Sequence, residues 1–222
     1  MSRMTKKEKV SFIREKLNEL YGEAPCTLEY QDPFHLIVAA QLAAQCTDAR
    51  VNLVTPALFA RFPDAKAFAE ADILELERLI HSTGFYHNKA KNLKRCGEVL
   101  LTQYGGVVPE TMEELLSLPG VGRKIANLVI GDVFGKPAIV VDTHCKRITK
   151  LLGLTKETDP PKVEKDLVKI IPPEYSALFC HQIVEHGRNL CIARRPRCAD
   201  CPLAVVCDFA IKGQKQTKKE RA

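Results

Sequence analysis

The sequence predicts an all-α fold, and three observations carry that expectation. Apolar residues recur every three to four positions along most of the chain, as a buried helical face requires. Pro or Asp stands where these patterns begin and Gly where they end. The one strand-like run, AIVVD at 138–142, has no second run to pair with and reads as an extended link.

Taken in order, Val10, Ile13, Leu17 and Leu20 line one face of a first helix. Pro33, at a first-turn position, opens a second helix through LIVAAQLAAQ (36–45) that is apolar nearly all round and therefore central. Asp48 is placed to cap VNLVTPALFARF, and Asp72 to cap ILELERLI, which Gly84 stops. Ala90, Leu93, Gly97, Leu100 and Tyr104 stripe a further helix before the turn GGVVP. Met112–Leu116 is a short helix, and another runs from about Gly122 to Phe134. Asp142 caps THCKRITKLL, with Gly153 as its stop. Pro160 and Pro161 start a helix to about Ile171, and Glu174–Cys191 reads as one more. The tail IKGQKQTKKERA reads as a basic, frayed end.

The 222 residues suffice for a sizeable core in one domain or two small ones. A net charge of +6 and a pI near 8.8 favour a polyanionic partner, although a mildly basic enzyme without nucleic acid has the same balance. The polar start MSRMTKKEKV and the absence of a long apolar run argue against a signal peptide or membrane span, so a cytoplasmic location is expected, on the nucleoid in a prokaryote.

The stretch LPGVGRK (118–124) opens a helix with two cations, Arg123 and Lys124, where the backbone dipole favours anions. With the preceding helix it forms a hairpin whose amides, around Gly120 to Gly122, lack intrahelical acceptors and make an anion pocket. An ordinary αα-hairpin with glycines for steric reasons is the plainer reading, against which the flanking cations weigh. Arg123 would hold a phosphate. A partly desolvated Lys124 near the helix N-terminus should have a pKa lowered from about 10.4 toward roughly 7–8, where an amine is a nucleophile. Asp142 is first of all an N-cap, but a rigid carboxylate also stabilises positive charge on a reacting sugar.

Nine cysteines are present, and four of them fall together as C-x6-C-x2-C-x5-C: Cys191, Cys198, Cys201 and Cys207. Four thiolates in one short loop are a complete soft ligand set for zinc or for an iron–sulfur cluster, and the longer spacings favour the bulkier cluster. Arg194, Arg195 and Arg197 lie within that loop, available to grip phosphates or simply to keep it soluble. Gln45, closing the central helix, is a half-exposed terminal residue or one set to fill a gap in a stack. Phe85, in GFYHNKAKN, is either an ordinary turn residue or a wedge.

In this order, from DPFHLIVAAQLAAQCTD at residue 32 through LPGVGRK and VDTH to Cys207, the motifs resemble the endonuclease III family of DNA glycosylases. The resemblance implies two helical domains flanking a DNA-binding cleft: a six-helix barrel at 26–136 with the helix–hairpin–helix, and a cluster domain of 1–25 and 137–222 with the cluster loop at 191–207. It implies that Lys124 attacks C1′ of a damaged nucleotide and that Asp142 assists base loss. Pro119, Gly120, Val121, Gly122 and Arg123 then bind the DNA backbone, Gln45 fills the space of the flipped base, and Phe85 wedges the opposite strand. The four cysteines would hold one [4Fe–4S] cluster, mainly structural. The partner is double-stranded DNA with a damaged base or abasic site, no membrane is involved, and the protein is expected to be a monomer. Because Lys124 is present, the chain resembles the bifunctional branch, which excises oxidised pyrimidines and nicks the strand. Ile125, Phe85 and Ala43 depart from common family choices and bear on lesion preference. A monofunctional mismatch or adenine glycosylase, a non-catalytic DNA-binding protein with a structural cluster, and a ferredoxin-like electron carrier are the alternatives.

Overall fold

A computed structural model describes residues 4–219, and among them every regular element is helical. The chain forms two compact units, Cys26–Lys136 and Met1–Pro25 joined with Pro137–Ala222. No helix among the described residues is long and apolar enough to cross a membrane.

The central unit carries α2 (Pro33–Leu42), α3 (Asp48–Arg61), α4 (Ala65–Ala69), α5 (Ile73–Ile80), α6 (Tyr86–Tyr104), α7 (Met112–Ser117) and α8 (Arg123–Asp132). Helix α2 is buried on nearly every side, from Phe34 to Ala39 and again at Gln41 and Leu42. That follows from its almost unbroken apolar sequence, and it makes α2 the axis of the unit. Asp32, Asp64 and Asp72 cap α2, α4 and α5, each accepting from the third amide of its helix. The short α4 had no periodic signal in its five residues. It lies against α6 because Gly97 has no side chain: a Cβ there would stand 2.5 Å from the Ala65 carbonyl oxygen. Phe34, Phe62 and Phe68 close the core on that side.

Helix α3 starts at Asp48, but the cap is Thr47, whose hydroxyl accepts from the Arg50 amide at 3.2 Å. The Asp48 carboxylate is taken instead by the Thr27 hydroxyl at 2.6 Å, which corrects the expected cap.

The other unit carries α1 (Lys6–Tyr21), α9 (Thr143–Leu151), α10 (Pro160–Val168), α11 (Ser176–Asn189) and α12 (Asp208–Lys219). Thr5 and Glu8 form a capping box at the start of α1. Val10, Ile13 and Leu17 are buried, whereas Leu20, read as part of that face, is 42% exposed at the helix end. Gln182 ties the two halves of this unit together. Fully buried, it donates to Asn18 Oδ1 at 2.8 Å and to the Gly22 carbonyl at 2.6 Å, and accepts from the Tyr175 hydroxyl. A buried amide with all these bonds made is specific as well as stabilising.

The segment read as an extended link has no strand partner among the described residues. Side chains satisfy its amides: Ala138 N–H donates to Ser176 Oγ at 3.0 Å, and Val140 N–H to Cys180 Sγ at 3.2 Å. The tail expected to fray is helical as far as Lys219 in α12, and its last part, 220–222, lies outside the described residues.

Candidate nucleic-acid interface and catalytic residues

In the central unit the hairpin is held from below by its apolar residues. Leu118 and Val121 are buried, and the Val121 amide donates back to the Leu118 carbonyl at 3.1 Å. Val121 therefore anchors the turn and has neither side chain nor amide left to meet a ligand. Pro119 is half-buried, and its carbonyl accepts from Gln41 Nε2 at 3.1 Å. Gly120, at φ 78°, stands so close to Gln41 Oε1 that a Cβ would overlap it. Gln41, 5% exposed on α2, thus fixes the hairpin's position, a role that no periodic pattern announces.

Gly122, Arg123 and Lys124 are exposed. Gly122 is the N-cap of α8 and supplies no side-chain bond to the first-turn amides, which have no acceptor within the helix. Lys124 is the second residue of that helix. The partial burial expected for it is absent, since the side chain is exposed.

Gln45 and Phe85 share a conformation. At φ 54° and 50° they are the non-glycine residues with positive φ among those described, and both are exposed, Phe85 by 62%. A left-handed backbone costs a residue with a side chain roughly 1–2 kcal/mol, and such outliers persist where the surroundings enforce them. Between the two turns lies Lys89, which is buried. Sequence reasoning passed over it, because an unremarkable lysine in a polar helix start reads as a surface residue.

In the second unit, Asp142 caps α9 and is half-buried, accepting from the Cys145 amide through Oδ1 at 2.6 Å. The carboxylate is fixed in position.

The four cysteines, all partly buried and unbridged, line one cavity with Ile148 and Leu203. Burial, then one another's charges, raise the Cys198 and Cys201 thiols above the ordinary cysteine value. Such a group ionises together only around cationic charge. Polar neighbours already face the sulfurs. Arg147 lies 3.5 Å from Cys191 Sγ and donates to the Cys191 carbonyl at 2.6 Å. Buried His186 has Nε2 at 3.6 Å from Cys201 Sγ and Nδ1 at 3.1 Å from the Tyr21 hydroxyl. Its pKa is pushed down to about 4, by burial and then by Arg147, which keeps the ring neutral. Among the described residues no three His, Cys, Asp or Glu converge as they would around one ion. On the same loop Arg194 and Arg195 are exposed, while Arg197 is paired with Asp200 at 2.9 Å.

A family model described as "HhH-GPD superfamily base excision DNA repair protein" matches residues 38–173, from the central helix α2 through the hairpin and Asp142. The chain is 51% identical to endonuclease III of Synechocystis sp. over 93% of its length and 94% of that protein. It resembles a solved non-covalent endonuclease III–DNA complex with a TM-score of 0.89 at 39% identity, covering 96% of this chain and all of that one. A trapped endonuclease III–DNA covalent intermediate matches with a TM-score of 0.89 at 40% identity, over 95% of this chain and 100% of that one. The chain belongs to the endonuclease III family, within the HhH-GPD superfamily of base excision DNA repair proteins.

Proposed function

We propose that this chain is a bifunctional DNA glycosylase and abasic-site lyase that removes oxidised pyrimidines from duplex DNA, with Lys124 as its nucleophile. The observation that carries the assignment is an amine at the second position of a bare helix N-terminus, directly after a glycine hairpin. A base inside the duplex is out of reach, so the nucleotide must be extruded, at a cost of a few kcal/mol that damage lowers. The first-turn amides of α8 and Arg123 hold the backbone phosphate, Gln45 fills the space of the flipped base, Phe85 wedges the opposite strand, and Arg194, Arg195 and Arg197 grip flanking phosphates.

Neutral Lys124 then bonds through Nζ to C1′ as the N-glycosidic bond breaks and the base leaves. Asp142 stabilises positive charge at the sugar during that step. The opened sugar becomes an iminium, which acidifies the C2′ proton. Loss of that proton expels the 3′ phosphate, cutting the strand 3′ to the lesion.

Cys191, Cys198, Cys201 and Cys207 are proposed to hold one [4Fe–4S] cluster. The donor set is four soft thiolates lining one cavity, one for each corner of a cluster. The cluster would supply a cross-link holding the arginine loop in shape. As part of the same proposal, the protein acts as a monomer on chromosomal DNA in the cytoplasm.

Borohydride trapping tests the central assignment. The wild type should cross-link to duplex DNA containing an abasic site and Lys124→Ala should not. A normal nick by the alanine variant refutes it. Metal analysis should find iron with acid-labile sulfide, and stoichiometric zinc would remove the cluster.

A further inference from the structure

Lys89 is 6% exposed, and its ammonium donates to two backbone carbonyls, Leu42 O and Thr83 O, each at 2.8 Å. Leu42 is the last residue of α2, and Thr83 is the last residue of the 3₁₀ turn His81–Thr83. Both carbonyls end a helical segment and so have no donor within it. Three residues after Leu42 comes Gln45, and two residues after Thr83 comes Phe85, the two exposed left-handed positions. Lys89 itself stands in the first turn of α6, for which Phe85 is the N-cap. One buried cation therefore joins the roots of both turns.

A buried ammonium without a carboxylate is costly unless dipoles hold it. Here two helix-end carbonyls do so, a favourable place for a cation. Burial lowers the Lys89 pKa, and the nearby Cys46 thiol opposes that. A fixed surface lysine would need none of this. The arrangement makes sense where two strained turns must be kept at one spacing.

We propose that Lys89 is a positioning residue: it locks the Gln45 and Phe85 turns to each other, so that the two side chains enter the opened duplex as one preformed unit. This rests on the reading of Gln45 and Phe85 as insertion residues given above. Pre-organisation matters because a misplacement of about 1 Å costs on the order of 100-fold in rate.

The test compares the intact protein with Lys89→Met, which keeps length but loses charge and donors. Borohydride trapping is timed on a duplex with an abasic site and on the same oligonucleotide single-stranded, where no stack has to be opened. The duplex rate should fall about 10- to 100-fold, and the single-strand rate should stay within about twofold of the wild type. An unchanged ratio of the two rates overturns the proposal, as does an equal fall in both. Where circular dichroism shows Lys89→Met unfolded, Lys89→Arg takes its place. Its planar fork cannot put one point donor between the two carbonyls, and the same ratio decides.

A second readout involves no chemistry. With 2-aminopurine opposite a tetrahydrofuran abasic analogue, wild-type binding should raise the fluorescence as the base unstacks, and the variant should raise it much less. A wild type that brightens the probe but does not trap condemns the Lys124 assignment and leaves Lys89 to the fluorescence comparison. Equal brightening by both proteins condemns Lys89 alone. No brightening by the wild type removes the insertion reading and this proposal with it.

Discussion

The N-termini of α8 and α9 are built from the same backbone and put to opposite use. At α9 the side chain of Asp142 closes the end, accepting from the Cys145 amide at 2.6 Å. At α8 the capping position is Gly122, which has no side chain to close the end, and Arg123 and Lys124 stand in the first turn. The first arrangement stabilises the helix and immobilises a carboxylate. The second forgoes that stabilisation and sets an amine beside amides that no capping side chain closes. A helix start can therefore fix an acid or be left without a side-chain cap, depending on one residue.

Changing the capped end should have the largest effect. Asn caps as well as Asp, so Asp142→Asn should keep the stability of α9 while removing the charge. Base release should drop about 100-fold, in line with the loss of one preorganised electrostatic group, with melting nearly unmoved. Asp142→Ala should lose the same activity and about 1 kcal/mol of stability as well. Single-turnover base release and thermal melting on both variants check this. An Asn variant with full activity reduces Asp142 to a cap.

What sequence could and could not announce follows the same division. Helix ends are local, and Asp72 and Asp142 cap where they were read because a capping side chain reaches only its own first turn. The hairpin was legible for the same reason, through its glycines and its cations. Burial is not local. Lys124 was expected to be poorly hydrated and is exposed, whereas Lys89, a residue with no motif around it, is buried. Gln41 carries no signal of its own in the sequence, yet it holds Pro119. Both depend on which distant carbonyl the fold delivers, and periodicity carries no such information.

The open end can be broken from behind. Gly120 needs φ 78°, and a Cβ would collide with Gln41. Gly120→Ala should therefore cost about 2 kcal/mol, from the left-handed strain and the displaced glutamine, or roughly 4–8 °C in melting temperature. It should also weaken binding to duplex DNA, because the hairpin shifts. Val121→Ala, which thins the buried anchor without altering the turn, should destabilise with a smaller effect on DNA affinity. Equal affinity for Gly120→Ala and wild type would show that the hairpin's shape is not what DNA reads.

The smallest change sharpens the contrast most, because it converts the open end into a closed one. Gly122 has φ −94°, and a Cβ there meets nothing within 4 Å, so a serine fits without strain. Its hydroxyl would accept from the first-turn amides, as the Asp142 carboxylate does at α9. Replacing glycine by serine at a cap is worth only a few tenths of a kcal/mol, so Gly122→Ser should melt about 1 °C higher. If those amides bind phosphate, the hydroxyl competes for them, and affinity for duplex DNA should fall by about 1 kcal/mol, roughly fivefold. Stability and affinity then move in opposite directions from one added oxygen. A general packing defect lowers both, and an irrelevant hairpin lets stability rise alone. Only a site left uncapped in order to bind an anion becomes more stable and binds less well.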